Sequence, residues 1–155
     1  MKWKCDVVNC ENSGCVKKMI PASLYNQIVN VMPIPSVEAM IMKDNALLFM
    51  KRKNSPAKGE WWFPGGRIHK GETFSETLYR KVKEETGLTV DIVKFVGVYN
   101  RIFPDRHDIA IVFLCRCHDK AVTLNNEHSD YRFFRKLPKD IHPLLLQVIK
   151  GSGLL

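Results

Sequence analysis

A mixed β-sheet between helical layers, an α/β arrangement of the α+β kind, is the fold the sequence predicts. Three observations lead there. Apolar residues recur at helical spacing early, centrally and late in the chain, over 22–32, 73–86 and 141–150. Strand-like apolar runs fill the stretches between them. With 155 residues, 45% of them apolar and 26% charged, the chain can bury one real core. Strands flanked by helices close most simply as one sheet covered on its faces.

In chain order, residues 1–20 read as an irregular arm and 21–155 as a single domain. The first helix places Leu24, Ile28 and Val31 at helical spacing, and Pro33 ends it. Residues 37–42 and 46–50 form two strands of a hairpin turning at Asp44-Asn45. A loop with Asn54, Pro56 and Gly59 leads to Trp61-Trp62-Phe63 and the break Pro64-Gly65-Gly66. The second helix puts Phe74, Leu78 and Val82 on one face, with Gly87 as a left-handed cap. Residues 88–103 and 108–117 read as long strands. The second is apolar on both faces, so it belongs in the middle of the sheet. A short strand over 131–134 and a helix from about 141, tolerating Pro143 near its start and stopping at Gly151, complete the chain.

No run approaches the roughly 18 uninterrupted apolar residues of a membrane span. The start of the sequence lacks the apolar stretch of a secretory signal, so a cytoplasmic location is expected. A formal charge of +8 suits phosphate-bearing partners. Much of it gathers at Lys51, Arg52, Lys53, Lys58, Arg67 and Lys70. The 5 cysteines fit no closed disulfide framework. Cys5, Cys10 and Cys15 are spaced for no common zinc knuckle, and free thiols are expected.

Chemistry concentrates between Gly65 and Leu88. Glu84 and Glu85 are adjacent on the central helix, and a carboxylate pair suits a hard cation such as Mg2+ or Mn2+ that also holds phosphate. Arg80 lies one turn before them, able to hold the same phosphate by forked hydrogen bonds. On the helix alone, ordinary pairing along a solvated face is the favoured explanation of these residues.

The spacing Gly66, Glu72, Arg80, Val82, Glu84, Glu85, Gly87, Leu88, preceded by Trp62-Phe63-Pro64-Gly65, resembles the Nudix box. The resemblance implies a Nudix-type sheet sandwiched between helices and a divalent-metal-dependent hydrolase of nucleoside diphosphate derivatives. Lys81 stands where the box carries its first helical Glu. An ammonium repels a nearby cation, which implies fewer metal ions than a typical member holds. It also offers Glu85 an ion-pair partner.

Beyond the box, residues 33–135 look like the GDP-mannose mannosyl hydrolases, a Nudix branch in which that Glu is also replaced. The match rests on Arg52-x-Asn54-x-Pro56-Ala57-x-Gly59-x-Trp61, on Glu127-His128-x-Asp130-Tyr131-Arg132 and on Pro33-x-Pro35-Ser36-Val37-Glu38. It implies release of GDP and an inverted hexose by water attacking the sugar carbon. Carried over, Glu85, the Gly65 carbonyl and Glu127 would hold one Mg2+, with Glu84 beside them. His128 would be the general base, a role suited to imidazole. Arg52, Arg67 and Arg80 would neutralise the leaving diphosphate, and Glu38 would support the site. Asp108 falls near the substrate where that branch tends to carry Tyr, and Glu127 where it usually has Gln. One of Trp61 and Trp62 should face a nucleobase and the other the core, since strand neighbours point oppositely. The remaining histidines, His69, His107, His118 and His142, read as surface residues.

The leading reading is a Mg2+-dependent nucleotide-sugar hydrolase, with a small-molecule substrate, no nucleic acid or membrane partner, and a possible homodimer. An ordinary pyrophosphohydrolase working at phosphorus is the alternative, favoured by Glu84. A non-catalytic nucleotide-binding module, its metal site disabled by Lys81, is the third.

Overall fold

The structure is a computed structural model and describes residues 20–118 and 121–154. The expected arm, with Cys5, Cys10 and Cys15, lies outside the described residues save for Ile20. The elements in order are α1 (Ala22–Val31), β1 (Ile34–Lys43), β2 (Ala46–Arg52), β3 (Trp61–Trp62), β4 (Gly65–Arg67), α2 (Phe74–Thr86), β5 (Val90–Phe103), β6 (Arg106–Cys117), β7 (His128–Phe134) and α3 (Pro143–Gly151).

The strands make one mixed sheet, in the order β3-β2-β1-β6-β5, with β4 joined to β1 and β7 to β2. As expected, β6 is central: it runs parallel to β1 and antiparallel to β5. Alternation along β1 divides the core in two. Val37, Ala39 and Ile41 pack with Leu78 and Val82 of α2. Met40 joins Phe49, Trp62 and Leu114 against Leu145, Val148 and Ile149 of α3. Cys115 and Cys117 are buried and packed in the core as small apolar groups.

Local chemistry sets the element ends. Asp44 and Asn45 have φ of 49° and 58°, the left-handed pair of a two-residue hairpin turn, closed by Lys43 opposite Ala46. Helix α2 opens on a capping box. The Thr73 hydroxyl accepts from Glu76 N–H at 3.2 Å, and the Glu76 carboxylate accepts from Thr73 N–H at 2.7 Å. It closes on Gly87 at φ 70°, as the sequence predicts.

Three details differ from the sequence reading. The stretch expected as a break contains a short strand, because Gly65, Gly66 and Arg67 pair with Glu38, Val37 and Ser36. Gly151 ends α3 from inside, and Ser152 caps it by donating its hydroxyl to the Ile149 carbonyl at 2.6 Å. The apolar stripe of α1 has the expected spacing but stays largely outside the core: Leu24 is 47% and Val31 81% exposed. Helices α2 and α3 already cover the two sheet faces, so α1 lies beside β6 and touches Arg67 of β4 through Tyr25.

Candidate active site

Strand β1 changes partner along its length. Its last residues pair with β2 and its first with β4, while β2 turns away to β3 and β7. At this splay opens a cleft of about 610 Å3, a volume suited to a small molecule. It carries Arg52, Gly65, Glu84 and Glu127 at its walls, and Arg101 and Asp108 as well.

Helix α2 lies across β4, so the glycine pair and the carboxylate pair meet. Glu85 is 2% exposed. One of its oxygens accepts from the Gly65 N–H at 3.1 Å and the other from the Lys81 ammonium at 2.6 Å. Burial pushes the Glu85 carboxyl up to about 6, against the pull of Lys81 and the Gly65 N–H. Burial also pulls Lys81 down, but Glu85, Glu127 and Glu84 more than offset it and leave the ammonium above its ordinary range. At neutral pH the two form an ionised pair. Gly65 has no room for a side chain, and one at Gly66 would have to push the Lys81 side chain aside. A Cβ on Gly65 would sit 2.3 Å from the Val37 carbonyl oxygen, and one on Gly66 would sit 2.7 Å from Lys81 Cε.

Arg80 braces this end. Its Nε and Nη2 donate to the two Glu72 oxygens at 2.7 Å each, and Nη2 also to the Arg67 carbonyl at 3.1 Å. Its Nη1 reaches Glu84 at 3.3 Å, and Glu84 is otherwise half exposed. Arg80 therefore lines the cleft while tied to carboxylates. Arg52 donates Nε to the Pro56 carbonyl at 2.8 Å and is half-buried. Burial lowers its pKa, while Glu85, Glu38 and Glu127 raise it. Arg67 lies 4.4 Å from the Tyr25 ring, in cation–π contact.

At the other end, Glu38 is buried beneath Trp62 and Arg101. The Trp62 indole N–H donates to one Glu38 oxygen at 3.1 Å, and Arg101 Nη2 to the other. Arg101 is 1% exposed, lies 5.0 Å from the Trp62 ring, and leaves Nε and Nη1 without hydrogen-bond partners. Asp108 accepts from Arg106 Nε and Nη2 at 2.9 and 2.6 Å. Trp62 is the tryptophan on the cleft wall, whereas Trp61 packs on Phe134 with Lys51 and Arg132 nearby.

Of the residues singled out in the sequence, Glu38, Arg52, Gly65, Arg67, Arg80, Glu84, Asp108 and Glu127 line the cleft. Glu85 sits just behind it, against Gly65 and Lys81. His128 pairs with Arg52 across β2 and β7 but is not on the cleft wall. It is 4% exposed, its Nδ1 is 3.1 Å from Asn125 Oδ1, and burial followed by the Arg52 charge lowers its pKa to about 4. Its ring is thus neutral at physiological pH. His69, read as a surface residue, is the histidine that lines the cleft among the described residues. Sequence reasoning also passed over Tyr25, Arg101 and Arg106. The one available signal was a lone charge in an apolar strand, as at Arg101.

A hard divalent ion, implied by the acidic helix face, finds carboxylate donors in Glu84, Glu85 and Glu127. They are not drawn together as a finished cage: among the described residues no three acidic, His or Cys side chains surround a common point. The donors fit an ion that completes its shell with substrate phosphate. The ion would supply charge stabilisation to a departing diphosphate.

The NUDIX domain family model matches residues 32–142, well over half of the chain, so the chain belongs to that family and is a Nudix hydrolase. It is 30% identical over 132 residues to the low-salt glycan biosynthesis protein Agl8 of Haloferax volcanii, covering 80% of this chain and 85% of that one. It is 39% identical over 113 residues to an ADP-ribose pyrophosphatase of Methanocaldococcus jannaschii, covering 69% and 66%. Among solved structures it resembles a MutT protein of Methanosarcina mazei Go1, with TM-score 0.71, 26% identity, and 79% and 95% of the two chains covered. Helix α1 precedes the matched segment, yet it brings Tyr25 to the cleft. No helix among the described residues is long and apolar enough to cross a membrane.

Proposed function

We propose that the chain hydrolyses a nucleoside diphosphate sugar, with GDP-mannose the first candidate, releasing GDP and free hexose as water attacks the anomeric carbon. The observation that carries this reading is the Lys81–Glu85 contact at 2.6 Å. An ammonium held on the acidic helix face leaves little room there for a group of metal ions preparing hydroxide to attack phosphorus. It favours chemistry in which the main task is to stabilise negative charge as a diphosphate departs. Arg52 and Arg67 line the cleft as the groups for that diphosphate, with Arg80 bracing the loop. Glu85, Glu84, Glu127 and the Gly65 carbonyl are the proposed partners of one Mg2+ or Mn2+, and His128 is the proposed base. The Haloferax relative, named a glycan biosynthesis protein, supports a sugar-linked substrate.

Turnover of GDP-mannose in 18O-labelled water tests the proposal. Label in the released mannose, with unlabelled GDP, is the expected result. Label in a phosphate product, with GMP and mannose 1-phosphate, overturns it.

A second reading, cleavage at phosphorus in an ADP-ribose-like substrate, is favoured by two observations. The Methanocaldococcus relative is named an ADP-ribose pyrophosphatase. The histidine on the cleft wall is His69, while His128 is buried beside it. Under this reading His69→Ala lowers turnover more than His128→Ala. Under the first the order is reversed.

A further inference from the structure

We propose that Lys81 is a tethered counter-ion that keeps divalent metal off the Glu84/Glu85 face until a diphosphate arrives, so that metal and nucleotide bind together. The inference rests on the diphosphate-substrate reading above and concerns the order in which that site fills.

Three observations combine. The ammonium touches Glu85 at 2.6 Å and lies 3.5 Å from Glu84, so one cation serves both carboxylates. The second Glu85 oxygen is held by the Gly65 N–H. The Lys81 side chain is 12% exposed and crosses the face of Gly66, where a Cβ would meet its Cε at 2.7 Å. The ammonium is therefore placed by packing as well as by charge.

A Mg2+ or Mn2+ bound to the same Glu85 oxygen at its usual distance of about 2.1 Å would lie no farther than about 4.7 Å from that ammonium. Like charges so close repel. With Lys81 shared by Glu85 and Glu84, Arg80 also on Glu84, and Glu127 exposed at the rim, the protein alone supplies too little negative charge to overcome it. A nucleoside diphosphate brings more, together with hard oxygen ligands, and tips the balance.

Mn2+ titration of the whole chain, followed by electron paramagnetic resonance, tests this with and without GDP, GDP-only samples serving as the blank. Without nucleotide, the wild-type chain should bind Mn2+ at least tenfold more weakly than Lys81→Met. Lys81→Gln, which keeps a donor toward Glu85 but no charge, should bind as Lys81→Met does, and Lys81→Arg as the wild type does. Thermal melts check that each variant is folded. With GDP, the wild type should gain a protein-dependent Mn2+ signal. Equal Mn2+ affinity of wild type and both neutral variants without nucleotide overturns the counter-ion role. A tenfold difference there, with no gain on adding GDP, keeps Lys81 as a barrier to metal and overturns its release by diphosphate, while the substrate reading stands or falls on the 18O experiment.

Discussion

Replacing Glu38 by Ala leaves the Arg101 guanidinium buried at 1% exposure with none of the hydrogen bonds it now makes. Its Nε and Nη1 already lack partners, and Nη2 depends on Glu38. The same change strips the Trp62 indole N–H of its acceptor. Removing one partner of a buried ion pair costs about 3–5 kcal/mol, because the remaining charge must stay dehydrated. For a domain of this length that is a fall in Tm of about 6–20 °C. Urea unfolding and calorimetry would both read it. Replacing the pair together, as Glu38→Leu with Arg101→Met, removes the stranded charge and should recover most of the loss. A fall below about 1 kcal/mol for Glu38→Ala, or a double variant less stable than the single one, would refute the reasoning.

Two further expectations follow from burial. Between about pH 6.5 and 4 the unfolded chain takes up the His128 proton and the folded one does not, so stability falls as pH falls through that window. The full penalty is about 3 kcal/mol. Glu85, raised to about 6, acts in the opposite direction, so the informative quantity is the difference between wild type and His128→Gln. The pH-dependent part of that difference should grow on acidification and level off above pH 7, and a gap constant across the series would remove His128 as its source. Gly65→Ala drives a Cβ to 2.3 Å from a backbone oxygen that cannot rotate away, and should cost about 1–3 kcal/mol or more. Gly66→Ala meets only the movable Lys81 side chain and should cost less, as paired denaturation curves would show.

What the sequence made legible follows from the range of the interactions. Helix α2 is local chemistry: Thr73 and Glu76 are three residues apart, Gly87 closes the end, and Leu78 and Val82 face the core. The pairing of Lys81 with Glu85 is an i,i+4 contact and was readable for the same reason. The Glu38–Arg101 pair is 63 residues apart in sequence and joins two strands separated by β6. No window along the chain reveals it. Strand β4 was hidden differently, since Gly65 and Gly66 have poor strand propensity and pair only because β1 offers its edge. The stripe of α1 shows the opposite failure, periodicity without burial.

The charges on the cleft wall show which groups are left to meet a ligand. Glu38 is matched to Arg101, Asp108 to Arg106, and Glu84 to Arg80 and Lys81. Arg52 and Arg67 line the same wall without a carboxylate in salt-bridge contact among the described residues. An incoming diphosphate therefore gains most from these two guanidiniums, because it displaces no existing ion pair. Each contact of this charge-assisted kind contributes about 1.5–3 kcal/mol, or roughly 10- to 150-fold in affinity. Arg52→Ala and Arg67→Ala should each weaken GDP binding within that range by titration calorimetry. Lys substitutions should recover part of it, since an ammonium keeps the charge but not the fork. Tyr25→Ala should give a smaller loss, because it frees Arg67 without removing it. Unchanged GDP affinity in both Arg→Ala variants would mean that the diphosphate lies at the opposite end, toward Arg101 and Arg106.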